Sequence, residues 1–157
     1  MADTLPDALV TIPGKWDFEY RYFAGEVSSR FFNALRNEGR IYGTRCPKCA
    51  RTLVPARSFC DACFVATEGW IDAGDVGVLE VFTVVTTQFP GLPAPPFAIG
   101  YVTLENADTA IINYIDGVDL SNVDAAAERF MARPRVRAVF KPDREGRITD
   151  FHFEVLP

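Results

Sequence analysis

Two Cys-x-x-Cys pairs constrain this chain more than any other feature of its sequence. Cys46-Pro-Lys-Cys49 is followed after ten residues by Cys60-Asp-Ala-Cys63, and these are the only four cysteines among 157 residues. Each pair predicts a tight turn that directs two sulfur atoms at one point, and four thiolates suit the tetrahedral coordination of Zn²⁺. Because four protein ligands leave no position for a bound water, we expect a structural metal that takes no part in chemistry.

Other uses of the four cysteines stay open at this point. Iron in a rubredoxin-like site is one alternative, and two local disulfides or free thiols are another.

The chain has no apolar run near the roughly 18 residues of a membrane span. Asp3 and Asp7 occupy the place where a signal peptide carries positive charge. We therefore expect a cytoplasmic protein without membrane contact, whose cysteines stay reduced.

The charges are distributed unevenly along the chain. Residues 58–128 carry eleven acidic side chains and no lysine or arginine, although the net charge of the whole chain is only −5. Such a stretch would repel a phosphate backbone, whereas nucleic-acid modules usually present a basic stripe. The charge pattern counts against nucleic acid as a partner.

Residues 1–25 are predicted to form an extended arm rich in aromatic side chains. Trp16, Phe18, Tyr20 and Tyr22 alternate with charged residues, which predicts an extended segment with one aromatic face. Either this face lies on the body of the same chain, or it docks on a partner.

Residues 26–45 are predicted to form an amphipathic helix and a short strand at 40–44. Val27, Phe31 and Leu35 recur at helical spacing, with Ser28 as a candidate N-cap and Gly39 as the stop. The apolar stripe is expected to pack on its own domain, or alternatively to lie in a partner's groove. The following residues, 46–70, complete a rubredoxin-like zinc ribbon.

Residues 71–157 are predicted to form a small barrel. Five segments have strand patterns, at 78–87, 97–104, 109–115, 135–140 and 147–155, and a helical piece at 124–131 precedes the fourth. A stiff loop with four prolines separates the first two strands at 88–96. Five short antiparallel strands with one helical insertion favour an OB-fold. The predicted fold class is therefore mainly β, with an N-terminal helix, a ribbon and a five-stranded barrel.

Together these motifs resemble the domain-of-unknown-function-35 family over about residues 26–157. The resemblance depends on the helix segment SSRFFNALRNEGRIYGTRCPKC, the ribbon, Thr83-Val84-Val85, Pro95-Pro96-Phe97 and a Val-x-x-Val-Phe strand. It implies a non-catalytic partner of thiolase-fold enzymes that act on acyl-CoA, or a unit fused to hydratases of the same pathways. The aromatic arm makes the chain similar to small subunits of the benzoylsuccinyl-CoA thiolase type.

Three positions depart from that family's usual pattern. Ala50 stands where the family usually has glycine after the second cysteine, and Asp61 stands where it has proline after the third. The segment 131–134, Met-Ala-Arg-Pro, replaces a region that often contains glycine ahead of the fourth barrel strand. All four thiolates are retained, so the departures put the geometry of that strand in question and leave the metal site intact.

The residue inventory lacks the parts of an acyl-transfer enzyme. Thiolase chemistry needs a nucleophilic cysteine and acid/base groups, yet every cysteine here is assigned to metal. The single histidine, His152, alternates with Phe151 and Phe153, so we expect it to face solvent. No nucleophile elbow or glycine-rich phosphate loop is present, so we expect no catalytic residues.

A basic cluster near the C-terminus has two interpretations. Either it holds the phosphates of coenzyme A, or it is a solvated face of the barrel or forms charged pairs with an acidic partner surface, and no CoA ligand is predicted from it. Its members are Arg129, Arg133, Arg135, Arg137, Lys141, Arg144 and Arg147.

From the resemblance we expect an accessory subunit of a thiolase-fold acyl-CoA enzyme. It would order the partner's site for thiolytic cleavage of a 3-oxoacyl-CoA, including an aromatic acylsuccinyl-CoA, with CoA bound mainly by the partner. The alternatives are a subunit of an acyl-CoA aldolase or hydratase, a ribbon and barrel that binds nucleic acid, and a rubredoxin-like electron carrier.

Overall fold

The predicted amphipathic helix forms in the computed structural model, which describes residues 12–157. Helix α1 spans Glu26–Glu38 and ends at Gly39, whose φ of +62° is the left-handed conformation that glycine adopts at little cost. Phe31 and Leu35 are fully buried in the core of the chain. The stripe therefore packs on its own domain, and the alternative of a helix lying in a partner's groove is wrong.

The predicted N-cap of this helix is also wrong. Gly25 is the N-cap and makes no side-chain capping bond, while Ser28 lies inside the first turn. The hydroxyl of Ser29 donates instead to the carbonyl oxygen of Gly25 at 2.6 Å. A serine inside the first turn can satisfy a carbonyl in this way, because its hydroxyl reaches back four residues.

Three short strands form the ribbon sheet in the order β2-β1-β3. Strand β1 spans Tyr42–Arg45, β2 spans Thr52–Leu53 and β3 spans Glu68–Asp72, with antiparallel pairing throughout. Strand β1 begins two residues later than predicted, and β3 crosses the predicted boundary between ribbon and barrel at residues 70 and 71. The sheet thus continues past the second cysteine pair.

The remaining strands close into a five-stranded barrel in the order β4-β5-β6-β8-β7. The bounds are Val76–Val85 for β4, Phe97–Leu104 for β5, Ile111–Asp116 for β6, Arg135–Phe140 for β7 and Phe151–Val155 for β8. Only the pair β6 and β8 is parallel. Helix α2, Val123–Met131, lies between β6 and β7, and a 3-10 turn at Ile148–Asp150 occupies the start of the predicted last strand. The predicted mainly β fold with a ribbon and an OB-like barrel is confirmed.

Aromatic and aliphatic side chains fill the barrel and anchor α2 to it. Phe130 of α2 is 1% exposed, and its ring centroid lies 5.0 Å from that of Phe82 on β4. Phe151 and Phe153 of β8 are buried in the same core. Among the described residues, neither helix has the length and apolar character needed to cross a bilayer.

Ribbon and barrel are joined by hydrogen bonds between β2 and the hairpin that connects β5 to β6. The backbone N–H of Thr52 donates to the carboxylate of Asp108 at 2.8 Å, and Asp108 N–H donates to the Thr52 carbonyl at 2.9 Å. The hydroxyl of Thr109 accepts from Val54 N–H at 2.7 Å and donates to the Val54 carbonyl at 2.8 Å. These reciprocal bonds fix the position of the cysteine site relative to the barrel.

Candidate metal centre

The structure brings the four predicted cysteine ligands together. Their sulfur atoms all lie within 4.8 Å of one another, and the Sγ atoms of Cys49 and Cys60 are 3.8 Å apart. Cys46 and Cys60 are fully buried, Cys63 is half-buried and Cys49 is exposed. Cys46 directly follows β1, and the second pair lies between β2 and β3. The cluster therefore sits at one end of the ribbon with one side open to solvent.

The two cysteine turns repeat the same backbone geometry. Ala50 N–H donates to the Cys46 carbonyl at 2.9 Å, and Phe64 N–H donates to the Cys60 carbonyl at the same distance. Ala50 and Phe64 both have positive φ, 60° and 54°. Left-handed backbone at this point turns the chain back so that both thiols of a pair face one centre.

The electrostatics of the cluster favour thiolates at some positions and oppose them at others. Burial raises the pKa of Cys60, but the backbone N–H groups of Ala62 and Cys63 and the side chain of Arg51 outweigh it and bring the pKa to about 6. The backbone N–H of Arg51 and then its side chain hold the pKa of Cys49 below its usual value. Burial and then the neighbouring sulfurs raise the pKa of Cys63 to about 12.

This donor set fits a closed tetrahedral metal site. Four sulfurs at mutual distances below 4.8 Å can share one ion of the size of Zn²⁺. A dication at the centre would favour the thiolate form at all four positions, including Cys63, whose proton is otherwise held by burial and by the other sulfurs.

One contributor to the site was missed by sequence reasoning. The guanidinium of Arg51 lies 3.6 Å from the Cys60 sulfur and donates to Asp61 at 2.8 Å. Asp61 also pairs with Arg57 at 3.5 Å. Asp61 is one of the departures from the family pattern, so an ion-paired carboxylate stands where a proline would stiffen the turn. The position of Arg51, two residues after Cys49, was the sequence signal that could have indicated a cation beside the sulfurs.

The other predicted candidates lie away from the metal centre. His152 lies on β8 with its side chain 27% exposed, and its Nε2 is 3.5 Å from the carboxylate of Asp116 on β6. Four arginines of the basic cluster form ion pairs with acidic residues: Arg133 with Glu80, Arg135 with Glu105, Arg137 with Asp75 and Arg147 with Glu145. These members are therefore ion-paired within the chain itself.

The described part of the aromatic arm does not lie on the body of the chain. Trp16, Phe18, Tyr20 and Tyr22 are 61–87% exposed, and successive rings stack on one another with centroids 5.6–6.1 Å apart. Residues 1–11 of the predicted arm lie outside the described residues. In this structure the aromatic face is open.

Comparisons with known proteins agree with this geometry. Residues 34–68 match the family described as ChsH2, rubredoxin-like zinc ribbon domain. A DUF35-family protein of unknown function from Sulfolobus solfataricus has a similar structure, with a TM-score of 0.59 and 23% identity over 84% of this chain and 87% of the other. A chain of the Ltp2-ChsH2(DUF35) aldolase has a TM-score of 0.61 and 15% identity over 86% of this chain and 98% of its own length.

Curated protein sequences give no significant match to this chain. The matched residues contain all four clustered cysteines, and a zinc ribbon match supports structural zinc at this cluster. The similar structures extend across both ribbon and barrel. Residues 34–68 therefore match a ChsH2-type zinc ribbon, and the chain shares the fold of these two DUF35-containing structures, in agreement with the resemblance of its motifs.

Proposed function

We propose that this chain is a non-catalytic accessory subunit of a thiolase-fold enzyme that acts on acyl-CoA. In this proposal Cys46, Cys49, Cys60 and Cys63 hold a structural Zn²⁺, and the chain orders the partner's site for thiolytic cleavage of a 3-oxoacyl-CoA. The observation that carries the proposal is the shared fold with a chain of the Ltp2-ChsH2(DUF35) aldolase, an assembly that joins a DUF35 protein to an enzyme.

The described residues offer no catalytic constellation of their own. All four cysteines lie in the metal cluster, and the only histidine sits beside Asp116 on the outside of the barrel. A nucleophile and its base must lie within hydrogen-bond reach of each other, and no such pair is formed by His152 and a thiol or hydroxyl here. An accessory role accounts for a folded acyl-CoA-associated chain without these groups.

The charge distribution argues against the nucleic-acid alternative. Residues 58–128, which contain β3 to β6, carry no lysine or arginine. An OB-fold that binds single strands normally combines aromatic side chains with a positively charged groove. Metal held by thiolates also agrees with a reducing compartment such as the cytoplasm.

A second partner type, an acyl-CoA aldolase, is favoured by one specific observation. The similar structure that joins a DUF35 protein to an enzyme is named as an aldolase. Thiolysis consumes free CoA as the nucleophile, whereas retro-aldol cleavage does not. The two partner types therefore differ in whether carbon–carbon bond cleavage depends on added CoA.

The decisive experiment reconstitutes the complex from purified parts. The zinc-loaded chain is mixed with a purified thiolase-fold subunit, and cleavage of a 3-oxoacyl-CoA and of the corresponding 3-hydroxyacyl-CoA is followed with and without free CoA. We expect the mixture to be active and each subunit alone to be inactive, because a subunit that orders a site acts through positioning. CoA-dependent cleavage supports a thiolase partner.

The variant His152→Ala tests the absence of catalytic groups in this chain. Its complex should keep activity within roughly a few-fold of wild type, since a true acid/base residue contributes about 10²–10⁴-fold. Full activity of the partner alone would contradict the proposal. Activity of this chain alone would contradict it equally.

A further inference from the structure

One charged side chain reaches the cysteine cluster. The guanidinium Nη2 of Arg51 lies 3.6 Å from the Cys60 sulfur and donates to a carboxylate oxygen of Asp61 at 2.8 Å. Among the residues that the structure describes, Arg51 is the one cation that donates a hydrogen bond to a sulfur. Cys60 is fully buried, whereas the side chain of Arg51 is 33% exposed. The guanidinium therefore contacts a buried sulfur while it remains partly in water.

The backbone holds Arg51 in this position from both sides. The N–H of Cys46 donates to the Arg51 carbonyl at 2.9 Å, which joins Arg51 to the first cysteine turn. The N–H of the next residue, Thr52, donates to the carboxylate of Asp108 in the barrel hairpin at 2.8 Å. Asp61, the partner of the guanidinium, lies inside the second cysteine turn. Arg51 is thus attached to the first turn through its backbone and to the second through its side chain.

The charge of a zinc-loaded cluster explains why a cation at this position matters. Four thiolates carry more negative charge than one Zn²⁺ ion neutralises. Part of this excess is buried, since Cys46 and Cys60 are fully buried, and buried charge is costly unless it is paired. A guanidinium stays protonated and can offset part of the excess through its contact with one sulfur. An N–H donor to a metal-bound sulfur also withdraws electron density from it.

We propose that Arg51 is the counter-charge of the metal centre and that its contact with Cys60 sets the affinity of the site for zinc. This inference rests on the structural zinc of the proposed function and assigns to it a residue outside the four ligands. Asp61 orients the guanidinium with one carboxylate oxygen, while its other oxygen pairs with Arg57 at 3.5 Å. Because the ion pair of Arg51 and Asp61 also connects the two cysteine turns, the sulfur contact has to be tested separately from that connection.

The test separates these two contacts with a pair of substitutions. Arg51→Gln removes both the charged sulfur contact and the ion pair, whereas Asp61→Asn removes the ion pair and leaves the guanidinium beside the sulfur. The zinc affinity of each purified full-length chain is measured by competition with a chelator of known affinity. Arg51→Gln should weaken zinc binding roughly tenfold or more, as is typical of groups that contact metal ligands. Asp61→Asn should weaken it roughly threefold or less, because the counter-charge remains.

Cobalt substitution adds a readout that a purely structural role of Arg51 would not change. Co²⁺ binds to tetrahedral thiolate sites and gives absorption bands for charge transfer from sulfur to metal. Loss of the N–H donor raises the energy of the sulfur electrons, so Arg51→Gln should shift these bands to longer wavelength. Arg51→Lys keeps a positive charge near the sulfur without the guanidinium fork, and it should lie between wild type and Arg51→Gln in both zinc affinity and band position.

Lys48 provides the matched control for the loss of one positive charge. It is exposed inside the first cysteine turn, and among the contacts of residues 12–157 it makes no hydrogen bond to a sulfur. Lys48→Gln should bind zinc within roughly threefold of wild type and leave the cobalt bands unshifted, because a solvated charge is screened. With zinc in excess, the circular dichroism spectra of all variants should equal that of wild type, which shows that each loaded chain is folded.

Three results would overturn the inference and leave the accessory-subunit function standing. Equal losses of zinc affinity in Arg51→Gln and Asp61→Asn, with unshifted cobalt bands, would assign the effect to the ion pair between the turns. Equal losses in Arg51→Gln and Lys48→Gln would assign it to the overall charge of the ribbon. Wild-type zinc affinity of Arg51→Gln would show that the site needs no counter-charge.

Two further results are distinguishable from these. If the wild-type chain binds no zinc, the structural zinc of the proposed function fails together with this inference. If Arg51→Gln does not fold, the cobalt bands of the other two variants decide. A shift in Arg51→Lys and none in Asp61→Asn supports the sulfur contact, and any other result contradicts it.

Discussion

At the scale of single residues, two departures from the family pattern fall on backbone that glycine would adopt more easily. Ala50 has φ of 60°, and Arg133, in the segment 131–134 before the fourth barrel strand, has φ of 52°. A side chain in left-handed backbone costs about 1–2 kcal/mol. The strand β7 nevertheless forms directly afterwards, and Arg133 forms an ion pair with Glu80.

Ala50→Gly is expected to stabilise the chain by about 0.5–1 kcal/mol. Relief of the left-handed strain exceeds the added entropy that glycine brings to the unfolded chain. The free energy of unfolding is measured by reversible denaturant titration at a fixed free zinc concentration.

Ala62 in the second cysteine turn is the control for this substitution, because its φ is not positive. Ala62→Gly should destabilise the chain by about 0.5–1 kcal/mol, since only the entropic cost remains. Equal effects of the two substitutions would show that the backbone conformation of Ala50 carries no strain.

At the scale of elements, the loop between β7 and β8 attaches helix α1 to the barrel. A Cβ on Gly146, whose φ is +82°, would lie 3.2 Å from the Phe32 carbonyl oxygen of α1. Arg144 donates to the Arg36 carbonyl at 3.0 Å, near the end of the same helix. Asp150 is 3% exposed and holds the loop by accepting three backbone N–H bonds, from residues 145, 146 and 147 at 3.0, 2.6 and 3.0 Å.

Asp150→Asn is expected to destabilise the fold by about 1.5–3 kcal/mol at neutral pH, because the accepting carboxylate loses its charge. Burial alone would raise the pKa of Asp150, but the three N–H bonds and Lys141 lower it below the ordinary value of 3.8. A lowered folded pKa means that the stabilisation is complete well above pH 3.8. It is lost as the pH falls below 3.8 and through the folded pKa.

The measurement is the difference in unfolding free energy between wild type and Asp150→Asn at a series of pH values. Loss of zinc at acid pH affects both proteins and cancels in this difference. Asp143→Asn, at an exposed position in the same loop, is the control and should differ little from wild type. A difference that does not shrink on acidification would contradict the role assigned to the carboxylate.

The ribbon is the second element whose stability can be tested directly. Its own apolar cluster of fully buried residues contains only Cys46, Leu53 and Cys60, with Cys63 and Val65 packed against it. Because burial of so small a core contributes little to the free energy of folding, we expect the metal to hold the ribbon together.

Cys60→Ser should therefore lose both the metal and the folded ribbon, whereas wild type should contain about one zinc per chain. Metal content is measured by elemental analysis, and folding by amide hydrogen exchange of residues 42–72. Ser58→Ala changes an exposed residue two positions away and should retain both properties. A zinc-free Cys60→Ser chain with a protected ribbon would show that the metal is not structural.

At the scale of the whole molecule, the described part of the arm leaves an apolar surface open on a folded chain, with Trp16, Phe18 and Tyr20 61–87% exposed. Exposed aromatic side chains of this kind mark interfaces. The isolated chain is expected to self-associate through them, and co-expression with the partner subunit should suppress this association.

The triple variant Trp16→Ala, Phe18→Ala and Tyr20→Ala should self-associate less while keeping the unfolding midpoint of wild type. The reason is that these rings contact one another and are largely exposed, so their removal leaves the core intact. Sedimentation velocity gives the association state and thermal unfolding gives the midpoint. A wild-type chain that sediments as a monodisperse monomer would contradict this prediction.

The sequence by itself determined the cysteine cluster, helix α1 and the five barrel strands. These features depend on local chemistry: cysteine spacing, the apolar repeat of Val27, Phe31 and Leu35, and β-branched runs bounded by turn residues. Strands 97–104 and 135–140 were predicted with the bounds that the structure has. Boundaries shifted where a short segment, such as the 3-10 turn at Ile148–Asp150, is stabilised by its own capping bonds and by the Asn113 side chain, which donates to the Ile148 carbonyl.

Only the tertiary structure decided which side chains meet. The approach of Arg51 to Cys60, the bonds between Thr109 and Val54, and the open position of the arm all depend on contacts that periodicity does not encode. The outward row of Val81, Tyr101 and Ile112 depends most strongly on such contacts, because it exists only once the bulge at Glu80 sets the register of β4 against β5. A shift of one residue in that register would send Val81 into the core, so the row is a product of strand pairing and not of the composition of any one strand.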